Sequence, residues 1–223
     1  MNNKEKKVLI NILVICLYFI WPYFLGAITN LFNLSEILYL YISLIFNFIL
    51  LFIVIYVYKE TLNKYYDNLN KKFKSNILKS LKIFSIGLII YILFNTLFGI
   101  IDIPVLSSQN SRIEIFKKIP VMFVLSTLFY YPVIEELVFK MSFKEIIKNK
   151  WMFIIVTGLF NAFFQIVFSI TNSTDLLYIL PYSVFYGSLS YIYFKTDNII
   201  YPIIFRICYN LIPCVIYVID LVY

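Results

Sequence analysis

Glu135 and Glu136 stand side by side in Tyr131-Pro-Val-Ile-Glu-Glu-Leu-Val-Phe-Lys140, inside an apolar run where an unpaired carboxylate is costly to place. Adjacent carboxylates can supply a general base and a charge partner. Lys140 follows Glu136 by one helical turn, on the same face and in the Glu-to-Lys order that favours pairing. Glu135 points about 100° away, free to meet a partner from another helix, and Arg206 is the strongest candidate. Asn161 with Gln165, and Arg206 with Asn210, repeat the four-residue step, so each pair lies along one helical stripe. Glu135 and Glu136 are therefore the candidate catalytic residues. Lys140, Asn161, Gln165, Arg206 and Asn210 are the candidate chamber or substrate-binding residues. Two readings stay open on spacing alone. One is a water-holding chamber in which Glu135 acts as base while the amides and Arg206 orient groups and stabilise charge. The other is an interhelical polar clamp that specifies packing.

The elements that must position these residues are membrane spans. The chain has 223 residues, of which 62% are hydrophobic and 14% charged, and its apolar stretches are too long and too numerous for a soluble core. The fold class expected is an all-α polytopic membrane protein of about seven transmembrane helices, near 8–28, 36–58, 80–101, 119–143, 151–170, 176–195 and 199–221. The first span lacks a small-residue cleavage site and is followed by further spans, so it reads as a retained helix and not a signal peptide. Residues 1–101 read as scaffold spans with a basic segment at 59–76; residues 119–215 carry the polar stripes, the two stretches forming one integrated domain. Pro132, three positions before Glu135, reads either as a kink that aims the carboxylates inward or as an ordinary membrane-helix proline.

Lysines set the expected orientation. Lys4, Lys6 and Lys7, then Lys59, Lys64, Lys71, Lys72, Lys74, Lys79 and Lys82, then Lys144, Lys148 and Lys150 fall on one face if the spans alternate. The Thr29–Ser35 and Thr171–Asp175 loops carry neither Lys nor Arg, while Arg112, Lys117 and Lys118 break the trend mildly. The positive-inside rule then puts the chain in the cell membrane with the N-terminus cytoplasmic and the C-terminus extracytoplasmic. The net charge of +7 lies mostly in juxtamembrane loops, where anionic lipid headgroups are the nearer partner, so no nucleic-acid partner is expected. Cys16, Cys208 and Cys214 lie within spans without CxxC spacing and read as three small apolar core residues. Two carboxylates without histidine or clustered cysteine make a poor zinc set, so neither a metal nor another cofactor is expected.

Over about 119–215 the chain resembles the CAAX-protease and bacteriocin-processing membrane proteins, the CPBP or Abi family, related to the type II CAAX prenyl endopeptidases. Glu135-Glu136-Leu-Val-Phe-Lys140 stands for the family's EExxxR, with Lys in place of Arg. Asn161-Ala-Phe-Phe-Gln165 stands for FxxxH, and Arg206-Ile-Cys-Tyr-Asn210 for HxxxN. Between them, Tyr186-Gly187 through Lys195, Asn198 and Pro202 is similar to the family's approach to its last motif. The resemblance implies a helical bundle with a polar intramembrane chamber, in which the family's proteases use a glutamate to activate water and histidines to position it. This chain has no histidine. Gln165 can donate a hydrogen bond but cannot shuttle a proton, and Arg206 can only stabilise negative charge. The resemblance therefore implies a divergent member that binds or assists the processing of a membrane-bound peptide, a lipoprotein (including N-terminal acylation) or a partner membrane protein. Immunity to a bacteriocin-like peptide and an active glutamate-dependent intramembrane endopeptidase or acyltransferase are the alternatives.

Overall fold

The computed structural model describes residues 3–69, 73–106, 108–167 and 170–222, so Lys71, Lys72 and the expected end of the fifth span at 168–169 lie outside the described residues. Helices follow one another without a strand among these residues: α1 (Asn3–Phe32), α2 (Glu36–Val57), α3 (Lys59–Leu69), α4 (Phe73–Ile100), α5 (Ser108–Lys118), α6 (Pro120–Ile146), α7 (Lys150–Val167), α8 (Ile179–Thr196) and α9 (Ile200–Val222). A 3-10 turn at Ser173–Tyr178 precedes α8.

Side-chain bonds show which helix ends lie together. At one end, the Tyr58 hydroxyl donates to Asn11 Oδ1 at 2.7 Å and lies 2.7 Å from Ser142 Oγ, tying the start of α1 and the end of α2 to the end of α6. At the same end, Tyr65 and Tyr193 share a hydrogen bond of 2.8 Å, Asn198 donates to the Tyr65 carbonyl at 2.8 Å, and Lys144 pairs with Asp197. At the other end, Lys118 meets Glu36 at 2.6 Å, Tyr178 donates to the Pro104 carbonyl at 3.1 Å, and the Phe116 and Tyr217 rings lie 5.6 Å apart. Seven helices, α1, α2, α4 and α6 to α9, run between these ends.

Six of the seven are long and apolar enough to cross a membrane by length and composition. The exception is α8, which corresponds to the expected span at 176–195. It packs chiefly against α7 and α4 and buries Pro181, Tyr182, Phe185, Tyr186, Gly187, Leu189, Ser190, Ile192 and Tyr193. A helix enclosed by protein can satisfy its hydroxyls from neighbours, as Thr157 does for Ser190 at 2.8 Å, and has less need of a lipid-compatible surface. The outer helices show the opposite pattern. Ile20, Tyr23, Leu31, Phe52 and Ile100 face outward, as lipid contact requires and water would not tolerate.

The interior falls into two apolar clusters. One gathers Leu50, Val54, Ile134, Leu137 and Phe139 from α2 and α6; the other gathers Phe84, Phe185, Leu189, Tyr201 and Phe205 from α4, α8 and α9. Because α4 packs on α8, and α1 on the end of α6, the stretches on either side of residue 119 share one bundle. Cys214 is buried, whereas Cys16 and Cys208 turn outward, contrary to the expectation of three core cysteines. Lipid and core are alike in polarity, so hydropathy cannot tell the inner face of a span from the outer one.

Candidate functional site

Helix α6 carries both glutamates, and its backbone departs from α-geometry twice around them. A π turn over Ser126–Tyr130 precedes the α-helical Tyr131–Glu136, and a second follows over Leu137–Met141. Proline accounts for the first. The Tyr131 N–H donates to the Ser126 carbonyl, five residues back, and Pro132 has no N–H, so the Thr127 carbonyl loses both of its candidate helical donors. Asn210 of α9 supplies the bond instead, with Nδ2 donating to Thr127 O at 2.7 Å. In the second π turn the Ser142 N–H reaches back to the Leu137 carbonyl, while its hydroxyl joins Tyr58. Leu137 to Met141 are all buried, so any charge on this stretch must find its partner within the protein.

Four charged side chains meet there. Glu136 Oε1 accepts from Lys140 Nζ at 2.5 Å and from Arg206 Nη1 at 3.2 Å, and Arg206 Nη2 pairs with Glu135 Oε2. The pairings expected from spacing are present, and Arg206 also reaches Glu136, joining them into one network of two anions and two cations. The planar guanidinium makes this feasible, since its fork offers separate N–H groups to separate carboxylates. The side chains of Glu136 and Lys140 have no exposure, that of Arg206 has 3%, and that of Glu135 has 12%, so Glu135 is the member an incoming group meets first.

Tyr186 of α8 lies beneath this network, a role that spacing did not assign to it. Its ring centroid is 4.8 Å from Arg206 Cζ and 5.9 Å from Lys140 Nζ, so both cations face one aromatic surface. Its hydroxyl donates to Gln165 Oε1 at 2.9 Å and accepts from Arg206 Nη2 at 3.5 Å, which brings Gln165 to the network at second hand. The four-residue spacing of polar residues gave Tyr186 no role in the site; it entered only within the Tyr186-Gly187 stretch that resembles the family's approach to its last motif.

The other two amides are placed differently. Asn161 lies one turn from Gln165, yet its Nδ2 donates to the Thr157 carbonyl of its own helix at 3.0 Å. Asn210 braces the π turn described above. Three polar atoms at the site are buried without a protein hydrogen-bond partner among the described residues: Glu136 Oε2, Asn161 Oδ1 and Arg206 Nε. No group of three or more His, Cys, Asp or Glu that could hold a metal stands together among the described residues.

Among known families, residues 117–212 match the one described as type II CAAX prenyl endopeptidase Rce1-like, over nearly the stretch that carries all three polar stripes. No curated protein and no solved structure matches the chain.

Proposed function

We propose that this chain, a member of the Rce1-like family through residues 117–212, binds or assists the processing of a membrane-embedded peptide, lipoprotein or partner protein and does not cleave peptide bonds. The observation that carries the reading is Arg206. By the motif resemblance it stands where the family has a histidine, and it engages both glutamates, so the carboxylate that would activate water is held in an ion pair and no imidazole is present to relay its proton. With the lysine-rich end cytoplasmic, the N-terminus lies inside the cell and the C-terminus outside.

The test is mass spectrometry of lipoprotein and membrane-protein N-termini in cells lacking the gene, restored with wild type or with Glu135→Gln at matched abundance. A terminus that changes on deletion and returns only with wild type supports a substrate-contacting role. Cleavage of a lipidated peptide by the purified protein, abolished by Glu135→Gln, would refute the non-proteolytic reading. It would also establish the second reading, an active glutamate-dependent enzyme, which the residual exposure of Glu135 favours.

A further inference from the structure

Two of the lysines at the lysine-rich end differ from their neighbours. Lys144 pairs with Asp197, and Lys148 with Glu145 at 3.3 Å. Lys150 and Lys195 have no carboxylate within salt-bridge distance among the described residues, and both approach the same ring: their ammonium groups lie 4.7 Å and 5.8 Å from the Tyr191 centroid. Lys150 also lies 4.4 Å from the ring of Trp151, which is 63% exposed. Two like charges gathered on one aromatic surface without a counter-ion make an anion site, and an exposed tryptophan beside them is typical of the headgroup level of a bilayer.

An apolar groove lies further along the same two helices, one helical turn from Lys150 and two from Lys195. It lies between α7 and α8, has a volume of about 290 Å³, and is bordered by Ile154, Ile155 and Leu159 on one side and Ser183, Val184 and Gly187 on the other. Lys195, Tyr191 and Gly187 succeed one another at four-residue steps on α8, and Lys150 and Ile154 at one such step on α7, so the cations cap the groove along its own helical faces. Glycines set its depth. A Cβ on Gly158 would come 2.9 Å from the Ser183 carbonyl and 3.1 Å from Gly187 Cα, so the two backbones approach as closely as they do only without side chains there. The hydroxyl at the rim, Ser183, donates to the Leu180 carbonyl at 2.8 Å, so the groove presents no free donor.

We infer that the face between α7 and α8 is a binding site for an anionic phospholipid, with the headgroup phosphate between Lys150 and Lys195 and an acyl chain in the groove. The charge pattern selects the occupant. A zwitterionic lipid carries its own cation into a site already holding two, and a partner helix has no phosphate for the lysines. The site is separate from the glutamate network and stands or falls independently of the function proposed above.

Native mass spectrometry of the full chain in detergent, supplied with equal amounts of phosphatidylglycerol and phosphatidylcholine bearing the same acyl chains, tests this. Wild type is expected to retain phosphatidylglycerol in preference. Lys150→Gln and Lys195→Gln should each weaken that preference about fivefold. Lys148→Gln, which alters a lysine already paired, should leave it unchanged. Leu159→Trp, which fills the groove from its open side, should weaken retention of both lipids. Each variant is read only from the monodisperse fraction. Equal retention of the two lipids by wild type, or unchanged preference in both lysine variants, overturns the inference. So does displacement of phosphatidylglycerol by equimolar inorganic phosphate, which would mark a soluble-anion site, or conversion of a dimer to a monomer by Leu159→Trp, which would assign the groove to a second copy.

Discussion

Arg206 decides the charge balance of the bundle. Replacing it with Gln leaves Glu135 without its cation and Glu136 with Lys140 alone, in a region where water cannot compensate. The expected cost is about 3–5 kcal/mol, read as a lower thermal transition of the protein in detergent. Combining Glu135→Gln with Arg206→Gln removes both charges of that pair and should cost less than the sum of the single changes; additive costs would mean that the two side chains do not interact. Arg206→Lys should restore little, because a single ammonium does not reproduce the fork that serves both carboxylates. Tyr186→Phe keeps the ring under the guanidinium but loses the bond to Gln165 and the long one from Arg206, so a loss of about 1–2 kcal/mol is expected.

At the scale of elements, α6 depends on α9 for a backbone bond that its own sequence forfeits. Asn210→Leu leaves the half-buried Thr127 carbonyl without a donor, at about 1–3 kcal/mol. Pro132→Ala returns an N–H five residues after Thr127, so Asn210→Leu should cost less in that background; an unchanged cost would show that the proline is not the origin of the π turn. Helix packing makes a second prediction from two glycines. Gly158→Ala meets backbone atoms of α8 that cannot rotate away and should destabilise by about 1–3 kcal/mol, while Gly26→Ala meets nothing within 4 Å and should leave the thermal transition unchanged or slightly higher.

For the whole molecule, the seven end-to-end helices make orientation testable. In a variant with its native cysteines replaced, cysteines introduced at Lys64 or Lys148 should react with an impermeant maleimide only after the cells are opened. Cysteines at Asp102 or Glu114 should react in intact cells. Labelling of both sets from outside would break the alternation. The course of α8 between the two ends is defined by bonds at each, Tyr178 to Pro104 and Lys144 to Asp197, and not by its hydropathy.

Composition and periodicity by themselves determined that the chain is an all-helical membrane protein and where six of its spans lie, because lipid forces every backbone polar group into local pairing and so writes such a span as a contiguous apolar run. The Glu136–Lys140 pair was legible for a related reason: a four-residue step is a local geometry that helix formation alone enforces. Contacts between helices have no such local signature. Only the tertiary structure decided that Arg206 would engage both glutamates, that Tyr186 would lie under the two cations, that Asn210 would brace a backbone carbonyl, and that Cys16 and Cys208 would face outward. Each depends on the rotation of one helix about its axis relative to another, which is set by packing such as the Gly158–Gly187 approach, and an apolar sequence leaves that rotation undetermined when the surroundings are as apolar as the core.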